Sequence, residues 1–80
     1  MSFIVYVLYS EAADKHYYGC TSDMEARMLS HNYLGYDWTH RHRPWKVIYT
    51  KEFQLKVEAL RYERWLKSGA GRDWVKKLPH

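Results

Sequence analysis

Five side chains, far apart in this 80-residue chain, offer more chemistry than their neighbours demand: the phenols of Tyr6 and Tyr17, the guanidinium of Arg27, the imidazole of His31 and the carboxylate of Glu63. Arg27 and His31 stand four residues apart, so a helix presents both on one face. A phenol with a pKa near about 10 is a poor base at neutral pH unless a cation lowers it, and Arg27 is the obvious cation. Each group also has a plain structural reading. Tyr17 is a cross-strand aromatic, Arg27 pairs with Asp23, and Glu63 pairs with Lys67, the last two being i,i+4 bridges worth about 0.3–0.5 kcal/mol. Taken one at a time, the plain readings win.

Other chemistries fare worse. Cys20 with His31 lacks a third group to orient a base, and a lone cysteine is commonly a small packing residue. One cysteine also excludes an intrachain disulfide and any zinc site that needs two thiolates. His40 and His42 alternate in a basic segment and are expected to face solvent rather than zinc. That segment, residues 36–44, combines Trp38 and the two histidines with Arg41 and Arg43, a basic and aromatic mixture suited to single-stranded or distorted nucleic acid. Arg41 and Arg43 are the candidate phosphate contacts, whereas Trp38 and Trp45 read as packing residues.

The elements that must position these groups follow from patterning. Residues 3–9 are continuously apolar and rich in β-branched and aromatic types, as in a strand covered on both faces. After a polar turn, residues 16–19 give a short second strand and complete an antiparallel hairpin. Ser22 and Glu25 form a capping-box pattern that starts a helix with Met24 and Met28 on its buried face, ending near His31 and Asn32. Residues 45–50 read as a third strand, with Pro44 just before it. A longer helix is expected over 55–67, with Gly69 as its left-handed cap, and a short one over 72–78. The order β-β-α-β-α-α predicts an α+β domain: a small three-stranded antiparallel sheet flanked by helices.

Composition sets the bounds. A chain of 80 residues holds one domain at most. Eight tyrosines, four tryptophans and two phenylalanines explain how a mean hydropathy of −0.68 still permits a core, because tyrosine and tryptophan rings pack while their polar tips reach partners. A formal net charge of +4 favours an anionic partner, as a hint only. No apolar run approaches the ~20 residues of a bilayer span, and the start lacks a secretion-signal pattern, so a cytoplasmic protein with no membrane partner is expected.

Set in order, the polar groups form a signature: Val5-Tyr6, then Tyr17-Tyr18-Gly19, then Arg27 with His31-Asn32, then Glu63 at the end of Ala59-Leu-Arg-Tyr-Glu63. This order resembles the GIY-YIG nuclease superfamily over nearly the whole chain. It looks most like the small stand-alone members and the N-terminal domain of the repair excinuclease, with a running pattern that includes a stretch similar to Arg43-Pro-Trp-Lys-Val-Ile-Tyr49. Ile4, Val5 and Tyr18 depart from the two name-giving motifs, and Cys20 replaces a lysine that some repair-associated members carry after the glycine.

The resemblance implies a one-metal DNA endonuclease holding a single Mg²⁺ or Mn²⁺, active in repair or recombination. It implies that Tyr17 activates the attacking water, that Arg27 neutralises phosphate charge, and that Glu63 holds the metal. It places Tyr6 and His31 as supporting active-site groups, and Gly19 as a structural glycine where the backbone turns closely. The alternative is a catalytically weak or inactive nucleic-acid-binding module of the same fold. A protein partner supplying targeting suits so small a chain.

Overall fold

The computed structural model describes residues 2–29 and 44–79. Three strands, β1 (Phe3–Ser10), β2 (Lys15–Thr21) and β3 (Lys46–Phe53), form one antiparallel sheet in the order β2-β1-β3. Helices α1 (Met24–Leu29), α2 (Lys56–Leu66) and α3 (Gly69–Lys76) complete the expected α+β arrangement.

The central position of β1 accounts for its unbroken apolar run. Val5, Val7, Ala59, Leu66 and Val75 are buried together on the side covered by α2 and α3. Tyr6 and Leu8 point the other way, where they pack with Trp45, Tyr17, Met24 and Met28 of the α1 side. Alternation along β1 therefore assigns each residue to one of two cores. The β1–β3 register slips between Val7 and Leu8, which pair with Tyr49 and Val47, so Ile48 is the extra residue of a bulge.

Several local expectations need correcting. The first helix is not capped by Ser22: Asp23 Oδ1 accepts from the Ala26 amide at 3.1 Å, and Thr21 Oγ1 accepts from the Asp23 amide at 3.0 Å. The aspartate therefore caps α1 and does not need Arg27 as a partner to explain its presence. The predicted end of this helix, near His31 and Asn32, lies outside the described residues. β2 runs to Thr21 and β3 to Phe53, beyond the predicted ends. Gly69 is not a left-handed cap, since none of the described glycines has a positive φ. It is the first residue of α3, whose N-cap is Ser68, with Ser68 Oγ accepting from the Gly71 amide at 3.4 Å. Lys67 ends α2 in a right-handed conformation, and α3 follows directly.

Gly71 explains why a glycine-rich stretch becomes helix here. A Cβ at this position would strike the Trp65 carbonyl oxygen and lie 2.6 Å from Leu66 Cα, so only glycine lets α3 rest on the backbone of α2. The two helices are tied to β3 by rings: Tyr49 meets Trp74 edge-on at 4.9 Å, and the Tyr49 and Tyr62 hydroxyls lie 2.9 Å apart. Among the described residues no helix is long and apolar enough to cross a membrane.

Candidate active site

Tyr6 anchors the site from the middle of β1, opposite Gly19 of β2. Its phenol lies across that glycine: a Cβ on residue 19 would overlap the ring tip and come within 2.8 Å of Tyr6 Cε1. Gly19 is therefore required by the close approach of Tyr6 within a continuous strand, not by a turn as the strand leaves the site. Tyr17, two residues earlier on the same face, lies nearly parallel to Tyr6 with ring centroids 6.4 Å apart, and Trp45 meets Tyr17 edge-on at 6.2 Å.

Arg27 reaches this face from α1, where Nε donates to the Tyr6 hydroxyl at 3.4 Å. Burial pushes the Tyr6 phenol above its ordinary value. Arg27 acts against that shift, through its hydrogen bond and its charge, while the charges of Tyr17 and Glu63 add to it. Tyr6 is therefore protonated at neutral pH. The phenol thus accepts from the cation as a neutral hydroxyl.

Arg27 also lines a cleft of about 380 Å³ at the end of the sheet where β1 begins and β2 ends. Cys20, Thr21 and Ser22 contribute from β2 and the residue after it, and Lys56, Leu60 and Glu63 contribute from α2. The cleft thus lies where α1, on one face of the sheet, and α2, on the other, both overhang its end. Glu63, with 17% of its side chain exposed, accepts from Lys67 Nζ at 2.9 Å. The plain i,i+4 bridge expected from sequence is present, and its carboxylate also faces the cleft. Burial and the charge of Glu63 push the Cys20 thiol up, with Lys56 opposing, so this cysteine is a poor nucleophile.

Of the residues singled out from sequence, Tyr6, Tyr17 and Gly19 share one face of the sheet with Arg27 bonded to Tyr6, and Arg27 and Glu63 share the cleft, which Tyr6, Tyr17 and Gly19 do not line. His31, Arg41 and Arg43, with Trp38, His40 and His42, lie outside the described residues. Lys56 was missed. Two helical turns separate it from Glu63, and that spacing, which places both on one face of α2, was the available signal.

The donor set suits a hydrated hard cation. Mg²⁺ keeps several waters and is commonly bound through one or two carboxylates plus substrate phosphate, and Glu63 provides one carboxylate at the cleft. An ion held by Glu63 would have to compete with the Lys67 ammonium for its carboxylate. Among the described residues no group of three or more His, Cys, Asp or Glu side chains could hold an ion unaided, so an all-protein cage is not formed there.

Residues 2–76 match the model of the GIY-YIG catalytic domain. The chain belongs to the GIY-YIG family. A UPF0213 protein from Limosilactobacillus reuteri (strain DSM 20016) is 35% identical over 80 residues, spanning 95% of this chain and 81% of the relative. The solution NMR structure of a UPF0213 protein from Bacillus halodurans matches with a TM-score of 0.58 at 28% identity, covering 94% of this chain and 82% of that one. The three-stranded GIY-YIG fold is thus shared with small relatives of similar length. GIY-YIG domains are typically nucleases that use divalent metal ions, so membership points to nuclease-related function and to nucleic acid as partner.

Proposed function

We propose that this chain is a DNA endonuclease, dependent on Mg²⁺ or Mn²⁺, that hydrolyses a phosphodiester bond in the cleft between α1 and α2. The observation that carries the reading is the double placement of Arg27, which donates to Tyr6 at 3.4 Å and lines the same cleft as Glu63. In this reading a phosphate enters beside the guanidinium, whose planar fork matches two nonbridging oxygens. Neutralising charge that grows on those oxygens is worth about 3 kcal/mol, by analogy with losing one oxyanion donor.

The two tyrosines divide the work. Tyr6, buried and protonated, accepts from Arg27 and so fixes the direction in which the guanidinium meets the ester. Tyr17, half-buried beside it, orients the attacking water, and as a phenolate, its own proton given up to solvent beforehand, it would take the proton of that water. Glu63 holds the divalent ion. When bound, such an ion polarises the phosphoryl group and steadies the departing oxygen.

The rival reading, a module that binds nucleic acid without cutting it, draws support from the ion pair that engages Glu63 with Lys67. A panel of nicked, flapped, forked and supercoiled DNA, titrated with divalent ion and then with chelator, separates the two. The expected result is metal-dependent nicking that falls at least about a hundredfold in Arg27→Ala, Glu63→Gln and Tyr17→Phe. Undiminished cutting by Glu63→Gln or Tyr17→Phe overturns their roles, and salt-sensitive binding with no product on any substrate favours the rival.

A further inference from the structure

Position 20, beside Gly19 in β2, carries a thiol, so β2 gives the cleft no cation. Two cations line it from the helices instead: Arg27 from α1 and Lys56 from the first turn of α2. Among the described residues the only carboxylate in the lining, Glu63, already faces the Lys67 ammonium. The described lining thus sets two cations against one carboxylate, which suits a polyanion rather than a single neutral ligand.

The two cations occupy different flanks. Arg27 reaches the α1 side, where Tyr6 and Gly19 face. Lys56 stands with Cys20, whose side chain packs on the α2–α3 side with Val5. A strand crossing the end of the sheet meets Arg27 and Lys56 in succession. We infer that Lys56 binds the phosphate flanking the scissile one, holding the nucleic-acid strand on the α2 side of the cleft while Arg27 holds the reacting phosphate. This assignment rests on the reading of the cleft as the site of DNA cleavage, yet its main test needs no cutting.

Binding of labelled single-stranded and duplex oligonucleotides is measured in chelator across a salt series, for the wild type, Lys56→Gln, Lys56→Arg and Lys76→Gln. Lys76 supplies a matched charge at the far end of the sheet, beside Tyr9 and His16. Lys56→Gln is expected to weaken binding about tenfold, the size of one charge-assisted hydrogen bond, and to flatten the plot of log affinity against log salt by about 0.7 for single strands or 0.9 for duplex. Lys56→Arg and Lys76→Gln should keep the wild-type slope. A wild-type slope in Lys56→Gln, an equal loss in Lys76→Gln, or no binding by the wild type at low salt overturns the inference. Where the wild type cuts, Lys56→Gln should raise KM and spare kcat. A fall in kcat at unchanged KM would place Lys56 on the reacting phosphate and overturn the flanking assignment. A wild type that binds with the expected slopes but never cuts refutes the nuclease reading and leaves the Lys56 contact standing.

Discussion

On the α2–α3 side of the sheet the hydroxyls of Tyr49 and Tyr62 lie 2.9 Å apart and satisfy one another, whereas on the α1 side Tyr6 accepts from a guanidinium that also borders an open cleft. Both pairs of tyrosines bring rings to a small core: Tyr49 and Tyr62 are 6.5 Å apart, Tyr6 and Tyr17 6.4 Å. The difference lies at the polar tips. A phenol whose hydroxyl ends on another phenol closes a contact, and one that accepts from a cation sets the aim of that cation, here Arg27 at the cleft. Most of the buried aliphatic residues follow the same division, Val5, Val7, Ala59, Leu66 and Val75 lying on the closed side and Leu8 alone among the described buried ones on the α1 side.

The strongest way to break this contrast is to empty each side in turn. Leu66→Ala removes a fully buried side chain from the closed face and should cost about 2–5 kcal/mol in urea unfolding, a large share of what so small a domain holds. Tyr6→Phe should cost at most about 1.5 kcal/mol, because it deletes one hydrogen bond and keeps the ring, yet it should slow cleavage at least about tenfold. Equal stability losses with no change in cleavage would erase the distinction.

A smaller perturbation sharpens it. Gly19→Ala drives a methyl into the Tyr6 phenol and should cost about 1–3 kcal/mol together with cleavage. Adding Tyr6→Leu to that variant removes the ring tip and should recover much of the stability while leaving cleavage lost, as judged by thermal melting and nicking of one preparation.

The smallest effect concerns alkaline pH. Burial raises the phenols of Tyr6, Tyr18 and Tyr62, and the contact with Tyr49 raises Tyr62 further. Above pH about 10 the unfolded chain releases protons that the folded chain keeps. The stabilisation is therefore fully present below that pH and falls as the pH rises past it. Urea midpoints should decline from pH 10 upward, less steeply in Tyr62→Phe, and a flat profile would remove Tyr62 from the closed face's support.

Much of the architecture was legible because burial writes itself into β1 and because the α2 stripe of Ala59, Tyr62 and Leu66 has helical spacing. The cap of α1 misled because Ser22 and Asp23 are adjacent and either suits the position; Thr21 decides by holding the Asp23 amide. The start of α3 was illegible because glycine argues against helix locally, and only the proximity of α2 reveals why it is needed at Gly71. In the site, Tyr6, Tyr17, Arg27 and Glu63 were readable only as an ordered set. Lys56 was not, since a lysine opening a helix looks like an ordinary solvated charge until the sheet end beneath it is known.

Gly71 carries a mechanical consequence. Because α3 sits against the peptide units of Trp65 and Leu66, α2 cannot roll about its long axis without lifting off that seat, and the aim of Glu63, less than one turn upstream, is indexed by it. The direction of an acidic side chain at one end of the molecule is thus gauged by a residue that has no side chain at all.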